Sequence, residues 1–322
     1  MASITAIAHP NIAFIKYWGN RDATLRIPLN SSISMNLAGL ETRTTARFDE
    51  SLSSDGFFLN GQAQAGKPLS RVSTFLDVIR RLAVLSRFAQ VESENNFPLG
   101  AGIASSASAF AALALAGSLA AGLNLSEKDL SRLARLGSGS AARSIPTGFV
   151  EWQAGQSDAD SFAFSIAGPE HWNLVDLVTI VDPLEKAVGS SEGHNLAVTS
   201  PLNKLRQAGV KARLAICREA ILMRDFAAFA EVVEADSNWM HAVMRTSNPP
   251  LYYWRPETEV ILGHVLAWRK AGHAVCATVD AGPNVHVLAL ENETAWLKAE
   301  LSQLQGIKDL ILAKPGNGAV AL

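Results

Sequence analysis

Residues 95–112 read NNFPLGAGIASSASAFAA, and this stretch carries the strongest indication of fold and function in the chain. A turn with Pro and Gly leads into three closely spaced serines, Ser105, Ser106 and Ser108, and an Ala-rich helix follows. The first turn of a helix has free N–H groups and a positive dipole end, so it attracts anions. Small residues let the backbone approach phosphate oxygens, and hydroxyls add donors. The stretch therefore predicts a nucleotide triphosphate site, although it lacks the Gly-Lys-Ser/Thr ending of a Walker A loop.

Length and composition restrict the class of protein. A chain of 322 residues suggests about two domains, and an apolar content of 48% is enough for well-packed cores. The net charge is only −2, so bulk charge predicts neither a nucleic-acid partner nor a membrane partner. The longest apolar run, Ala109 to Leu123, is shorter than the ~20 residues of a membrane span. We expect a buried helix there.

Cysteine and histidine usage argues against a metal or redox centre. Cys217 and Cys276 are the only cysteines, and neither belongs to a Cys-x-x-Cys pair. The seven histidines lack His-x-x-x-His spacing, so we expect no zinc site. Few cysteines, and no signal-type apolar segment before His9-Pro10, predict a cytoplasmic protein.

Strand and helix patterns are mixed along the chain without regular βαβ alternation, which favours an α+β fold. We expect a domain boundary near residue 180, which would divide the chain into residues 1–180 and 181–322. Residues 182–200 are poor in apolar side chains and predict a mobile loop. Periodicity predicts strands at 4–8, 12–15, 32–40, 42–48, 162–166, 174–181, 274–280, 284–290 and 307–313, and helices at 69–88, 202–208, 226–241, 256–271 and 296–304, with a helix capped by Ser126.

Three further segments carry residues with chemical potential. Lys16 lies in the apolar run NIAFIKYWG, Arg143 follows the small residues of GSGSAA, and Asp280 precedes an Ala-Gly-Pro turn. Arginine can bind a carboxylate or phosphate through two parallel hydrogen bonds, and a strand-end aspartate can act on a substrate hydroxyl if a partner orients it. Taken singly, these segments also fit a surface lysine, a flexible turn and a turn-forming aspartate, and the serine stretch also fits a plain helix N-cap.

Taken together and in this order, the segments resemble the mevalonate diphosphate decarboxylase and phosphomevalonate decarboxylase family of the GHMP kinase superfamily. The matching motifs are NIAFIKYWG, NNFPLGAGIASSASAFAAL, LGSGSAARS and VDAGPNVHVL, and the similarity runs from about residue 5 to residue 290. The resemblance implies an N-terminal domain like that of ribosomal protein S5 and a ferredoxin-like C-terminal domain, with the active site between them. It also implies a homodimer.

The resemblance further implies a reaction and its residues. The γ-phosphoryl group of ATP would pass to the tertiary 3-hydroxyl of a 5-phosphorylated mevalonate, after which loss of phosphate and carbon dioxide forms the alkene. Asp280 would orient or deprotonate the hydroxyl, Lys16 would supply positive charge, and Arg143 would bind the carboxylate. The other implied substrate contacts are Asn11, Tyr17, Asn20, Ser138, Gly139, Ser140, Ser190 and Ser191. The implied ATP contacts are Asn96, Gly102, Ala104, Ser105, Ser106, Ser108 and Lys186. Mg²⁺ would be held mainly by ATP, with Ser106 as the candidate protein ligand.

One departure from the family pattern concerns substrate choice. Family members usually read Lys-Tyr-Trp-Gly-Lys, and the second lysine, which contacts the substrate diphosphate, is replaced here by Asn20. A charge pair contributes roughly 1 kcal/mol in water and about 4 kcal/mol at an effective dielectric of 20. We therefore expect mevalonate 5-phosphate as the substrate and isopentenyl phosphate as the product. The alternative is that Arg21 or another cation compensates and the substrate is mevalonate 5-diphosphate.

Two other functions share the scaffold. A 3-kinase would stop at the phosphorylated intermediate and release ADP without carbon dioxide. A non-catalytic ligand sensor would be expected to lose the catalytic carboxylate or the ATP loop, and both are intact in this sequence.

Overall fold

The computed structural model describes residues 2–97, 105–182 and 188–322, and it is built from eight α-helices and sixteen strands within those ranges. The helices are α1 (Gly66–Ala83), α2 (Ser105–Ala120), α3 (Glu127–Gly137), α4 (Ser190–Leu196), α5 (Asn203–Met223), α6 (Phe226–Arg245), α7 (Pro256–Lys270) and α8 (Thr294–Gln303). The strands are β1 (Ile4–Ala8), β2 (Asn11–Ile15), β3 (Asn20–Asp22), β4 (Ile27–Pro28), β5 (Ser32–Ala38), β6 (Thr42–Asp49), β7 (Gly56–Leu59), β8 (Gln62–Ala63), β9 (Phe88–Asn95), β10 (Phe149–Trp152), β11 (Ala163–Ala167), β12 (Leu174–Ile180), β13 (Val275–Val279), β14 (Val285–Leu290), β15 (Asp309–Pro315) and β16 (Val320–Ala321).

The first sheet has six strands in the order β16-β1-β6-β9-β7-β8, and helices α1, α2 and α3 cover one face. Alternation in β6 is regular, with Thr42, Thr44, Ala46 and Phe48 buried and the intervening residues more exposed. Helix α2 is apolar on all sides because it lies at the centre of this layer, where its alanines allow close approach of the neighbouring elements. The buried helix predicted for the Ala-rich run is therefore confirmed. None of the helices in the described ranges has the length and apolarity needed to cross a membrane.

The second sheet has eight strands in the order β11-β10-β5-β15-β12-β14-β13, with β2 also paired to β5. Helices α5 and α6 pack on one face of its C-terminal part, and α7 and α8 pack on the other. Alternate residues of β12, β13 and β14 face the two helical layers, which explains why these strands are buried throughout. Strand β15 joins the two halves, because it pairs with both β12 and β5.

The domain boundary expected near residue 180 would assign β12 to the N-terminal half. Its partners are β14 and β15, which come from the C-terminal half. The pairing therefore places β12 with the C-terminal strands, and the position of the domain boundary stays a prediction.

Three segments differ from the sequence predictions. Helix α1 ends at Ala83 rather than continuing to Phe88, because Val84 adopts the left-handed conformation and β9 begins. The predicted loop at 182–200 contains helix α4 in its described part. The short helix predicted before Gly209 continues to Met223, because its apolar stripe is buried in the core, and this outweighs the low helix propensity of glycine.

Candidate active site

Lys16 and Asp280 meet although they lie 264 residues apart in the sequence. Lys16 follows β2 and Asp280 follows β13. The Lys16 Nζ lies 2.5 Å from Asp280 Oδ1, and the lysine side chain is 1% exposed whereas the aspartate is 26% exposed. The ammonium group therefore approaches from the protein interior, and the carboxylate is the member of the pair that faces solvent. The structure thus brings together the two residues predicted as a catalytic pair, and their catalytic role stays a prediction.

The pair has perturbed protonation. Burial lowers the pKa of Lys16, and the nearby carboxylates of Asp280 and Asp236 oppose this shift. Burial alone would raise the pKa of Asp280, but the charges of Lys16, His286 and Arg143 outweigh it and the pKa is lowered. Asp280 is accordingly ionised at neutral pH and can accept a hydrogen bond or a proton from a hydroxyl.

Arg143 is a buried cation held by neutral groups. Its Nε and Nη2 donate to Asn11 Oδ1 at 3.2 and 3.0 Å, and its Nη1 donates to Ser32 Oγ at 2.8 Å. The described residues give it no ion pair, and burial lowers its pKa to about 10. A buried charge without a counter-charge is costly, so this guanidinium favours an incoming anion such as a carboxylate.

Asn11 connects Arg143 to residues 137–144, which belong to the LGSGSAARS motif and are called the substrate loop here. Its Nδ2 donates to the Ser140 carbonyl oxygen at 3.1 Å and to Ser144 Oγ at 2.8 Å. Gly139 to Ser144 form a 3-10 helix directly after α3. Asn11 thus orients both Arg143 and the loop, and its predicted contact with the substrate stays a prediction.

A chain of hydroxyls links the start of α2 to the substrate loop. Ser106 Oγ lies 3.1 Å from Ser138 Oγ, which lies 3.4 Å from Ser140 Oγ. Ser105 begins α2. Ser108 differs from its prediction, because its hydroxyl is fully buried and bonds to Thr42 Oγ1 and the Ser105 carbonyl oxygen. Its position one helical turn after Ser105 assigns it to packing against β6.

The remaining predicted ATP residues fall at or beyond the edge of the described ranges. Asn96 is tied to the turn at Gly39 and Glu41, where its Nδ2 donates to the Gly39 carbonyl and its Oδ1 accepts from the Glu41 N–H. Gly102, Ala104 and Lys186 lie outside the described residues.

Tyr17 and Asn20 form a unit beside the substrate loop. The Tyr17 hydroxyl donates to Asn20 Oδ1 at 2.5 Å, and burial raises the pKa of Tyr17 to about 12. A Cβ at Gly139 would lie 2.6 Å from Cε1 of the tyrosine ring. Glycine at this position therefore permits the Tyr17 ring to lie against the substrate loop. The Tyr17 hydroxyl is neutral, and its hydrogen bond holds Asn20 near the same loop.

Helix α4 packs against the residues that follow Lys16. His194 Nδ1 accepts the Gly19 N–H at 2.9 Å, and its ring stacks on Tyr17 at 4.1 Å. Ser190 and Ser191 are the first two residues of this helix, and the side chain of Ser191 lies outside the described part. No sequence motif marks His194, because a lone histidine in a segment expected to be a loop gives no indication of this contact.

Arg26 and Arg71 are further cations that the sequence analysis missed. Arg26 Nε donates to the Leu136 carbonyl at 3.0 Å, and Arg71 Nη2 donates to the Gly137 carbonyl at 2.9 Å. These carbonyls directly precede Ser138. Neither arginine forms an ion pair with any residue that the structure describes, and burial together with the charge of Arg26 lowers the pKa of Arg71 to about 10. Two cations from separate elements thus converge next to the substrate loop.

Arg21, the compensating cation named in the sequence alternative, points elsewhere. Its Nη1 donates to the Gly155 carbonyl at 2.8 Å and to Gln156 Oε1 at 2.6 Å, and the residue is exposed. The cations that contact the carbonyls before Ser138 are Arg26 and Arg71. No sequence motif marks these two residues, because they lie outside the four segments and meet only through the fold.

Metal binding by the protein itself has limited support. The described residues contain no group of three or more His, Cys, Asp or Glu side chains arranged to hold an ion. The Ser106 hydroxyl oxygen, at the positive end of α2, is a suitable ligand for a magnesium ion that is otherwise bound by phosphate oxygens.

Comparisons with protein families match both halves of the chain. Residues 8–163 match the diphosphomevalonate decarboxylase-like N-terminal domain, and residues 176–315 match the mevalonate 5-diphosphate decarboxylase C-terminal domain. The diphosphomevalonate decarboxylase of Homo sapiens is 40% identical over 320 residues, which cover 92% of this chain and 78% of the human protein. That of Saccharomyces cerevisiae is 37% identical, with 95% and 82% covered.

Solved structures agree with the family match. The structure described as MDDEF in complex with MVAPP, AMPPCP and magnesium has a TM-score of 0.94 and 41% identity, and covers 99% of this chain and 98% of its own. The mevalonate diphosphate decarboxylase of Staphylococcus aureus has a TM-score of 0.94 and 38% identity, with the same coverage of both chains.

Proposed function

Because the chain belongs to the diphosphomevalonate decarboxylase family, we propose that it converts mevalonate 5-diphosphate and ATP to isopentenyl diphosphate, ADP, phosphate and carbon dioxide. It is an ATP-dependent decarboxylase, as the sequence predicted, and its α+β fold is the expected GHMP kinase fold. The relatives support the diphosphate alternative over the monophosphate that Asn20 suggested. The homodimer implied by the sequence resemblance belongs to the same proposal, and analytical ultracentrifugation tests it.

The observation that carries the substrate assignment is the pair of arginines beside the substrate loop. Asn20 in place of the family's lysine removes one positive charge from that position. Arg26 and Arg71 bring two positive charges to the carbonyls that precede Ser138. A terminal phosphate bound there would find cations that the described residues do not neutralise. These two charges support the diphosphate as the substrate.

The chemistry requires a good leaving group at C3, since hydroxide departs poorly from a tertiary carbon. We propose that the ionised Asp280 orients or deprotonates the 3-hydroxyl as it attacks the γ-phosphorus of ATP. The ammonium group of Lys16, bound to the same carboxylate, offsets negative charge at the reacting oxygens. Loss of the 3-phosphate leaves positive charge at C3, and the electrons of the C1–C2 bond then form the alkene as carbon dioxide departs.

Arg143 would hold the substrate carboxylate until that bond breaks. Its side chain is fixed by Asn11 and Ser32, so it loses little conformational freedom when an anion binds. On the nucleotide side, Ser105 and Ser106 at the start of α2 would bind the triphosphate, and a magnesium ion held by its phosphates would neutralise charge there.

A paired assay tests the proposal. Purified protein is given Mg²⁺ and ATP with mevalonate 5-diphosphate or mevalonate 5-phosphate, and ADP and carbon dioxide are measured in the same reaction. We expect a higher kcat/KM for the diphosphate and equal amounts of ADP and carbon dioxide. A preference for the monophosphate would restore the first sequence interpretation. ADP without carbon dioxide would identify a 3-kinase, and ATP binding without turnover would identify a ligand sensor.

A further inference from the structure

The backbone of Lys16 lies just beyond the regular pairing of its strand. Strand β2 pairs with β5 up to Ile15, and the register shifts between Ala13 and Ile15. Such an irregularity turns the chain and leaves backbone groups that need other partners. At Lys16, both backbone groups are bound by buried side chains from distant parts of the sequence.

These side chains form a clamp on the lysine backbone. Asp236 Oδ2, on α6, accepts the Lys16 N–H at 2.7 Å. Arg206 Nη2, on α5, donates to the Lys16 carbonyl oxygen at 2.7 Å, and Asn30 Nδ2 donates to the same oxygen at 3.0 Å. Arg206 and Asp236 are both 0% exposed.

The clamp is also connected internally. Arg206 Nη1 donates to Asn30 Oδ1 at 3.1 Å, and Arg213 Nε donates to Asp236 Oδ1 at 2.7 Å. Arg206 Nη2 lies 3.8 Å from Asp236 Oδ2. The position of the Lys16 backbone is therefore set from both sides by a single network.

Helix α6 also contacts the strand that carries Asp280. Ser237, the residue after Asp236, accepts the Val279 N–H at 3.1 Å and donates to the Val279 carbonyl at 3.4 Å. His241 Nε2 lies 3.1 Å from the same carbonyl, and burial lowers the pKa of His241 to about 3, so it is neutral. One helix therefore fixes the residue before Asp280 and, through Asp236, the backbone of Lys16.

We propose that Asp236 and Arg206 are positioning residues that fix the Lys16 ammonium against Asp280. Burying charged groups is expensive, and apolar replacements of buried ion pairs are often neutral or stabilising. A contribution to stability therefore explains the presence of this buried network poorly, whereas the need to hold a catalytic group in place explains it well. Displacement of a catalytic group by 1 Å can reduce a rate about 100-fold. This inference rests on the proposed function of the Lys16–Asp280 pair.

Glu151→Gln provides a matched control for Asp236→Asn. Both residues are buried carboxylates paired with an arginine of α5, Asp236 with Arg213 and Glu151 with Arg218. Both substitutions remove one negative charge and keep the side-chain shape. Only Asp236 also accepts the Lys16 N–H.

The first measurement is steady-state kinetics of both variants with ATP and mevalonate 5-diphosphate, together with their melting temperatures. We expect Asp236→Asn to lower kcat about 10- to 100-fold with the KM for ATP nearly unchanged. Glu151→Gln should keep a kcat close to that of the wild type.

The second measurement is the pKa of Lys16 from NMR titration of ¹³Cε-labelled lysine, with the Lys16 signal assigned by its absence in Lys16→Arg. The Asp236 charge raises this pKa, so Asp236→Asn should move it to lower pH, and Glu151→Gln should not. The charged and titratable groups that act on Lys16 from the elements around it are Asp280, Asp236, His241, Arg206 and Arg143, and Arg213 binds Asp236.

The outcomes separate the two proposals. A wild-type protein that releases no carbon dioxide from mevalonate 5-diphosphate overturns the proposed function, and the Lys16 titration then decides the positioning role by itself. An active wild type with near-normal kcat in Asp236→Asn, or equal losses of kcat in both variants, overturns the positioning role.

If Asp236→Asn does not fold, Arg206→Lys decides, because one ammonium cannot bind Asn30 and the Lys16 carbonyl as the guanidinium does. A folded Arg206→Lys variant should have a lower kcat than the wild type, and an unchanged kcat would refute the positioning role.

Discussion

Replacing Arg71 by methionine tests the diphosphate assignment at a residue that no sequence motif marks. The change removes a cation that lies next to Gly137 and whose guanidinium carbon is 4.6 Å from the centre of the Phe110 ring, and it keeps much of the aliphatic stem. A charge pair at 4 Å contributes about 1 kcal/mol in water and about 4 kcal/mol at an effective dielectric of 20. Arg71 is partly buried, so we expect a loss between these values. At 1.4 kcal/mol for each factor of ten, kcat/KM for mevalonate 5-diphosphate should fall by about one to two orders of magnitude.

The assay compares kcat/KM for mevalonate 5-diphosphate and mevalonate 5-phosphate in the wild type, Arg71→Met and the control Arg81→Met. Arg81 lies on the same helix but is exposed. The loss should be larger for the diphosphate, and Arg81→Met should behave as the wild type. Adding Asn20→Lys to Arg71→Met should recover part of the activity, since it returns a cation to the site. Equal losses on both substrates, or no loss, would refute the assignment of Arg71 to the diphosphate.

Three further predictions concern the substrate loop and the catalytic lysine. Arg143→Lys should lower kcat/KM about 10- to 100-fold, because one ammonium cannot replace the hydrogen bonds from three guanidinium nitrogens, and steady-state kinetics with unchanged ATP binding would check this. Gly139→Ala should raise the substrate KM and destabilise the fold by about 1–3 kcal/mol through overlap with Tyr17, measured by denaturant unfolding against Gly168→Ala, where nothing lies within 4 Å. The kcat should fall as alkaline pH removes the proton of Lys16, at a pH below the ordinary lysine pKa of about 10.4, and Lys16→Arg should move this decline upward if it retains activity.

Much of the fold follows from local patterns in the sequence. Alternation over Thr42–Asp49 and the Ala-rich run after Ser105 predict a strand and a buried helix, and both are present. The Ser126 cap is confirmed, since its hydroxyl accepts the Asp129 N–H. The pairing of β15 with β5 could not be predicted, because local periodicity carries no information about partners far along the chain.

The candidate site could likewise be predicted only in part. The sequence motifs named Lys16, Asp280 and Arg143, and the structure places these charges near one another. Arg71 and His194 escaped notice, because an isolated arginine on a helix or an isolated histidine has no local signature of function. The preference for the monophosphate came from Asn20, and the sequence could not indicate that the fold brings Arg26 and Arg71 to the carbonyls before Ser138.

Asp280→Asn tests the central claim that one ion pair from the two halves of the chain performs the chemistry. The substitution keeps the shape of the side chain but removes the charge that faces Lys16 and the ability to accept a proton. Single-turnover reactions with mevalonate 5-diphosphate and ATP should give no measurable ADP or carbon dioxide, while the Kd for ATP stays close to that of the wild type. Near-normal formation of both products by Asp280→Asn would contradict the account.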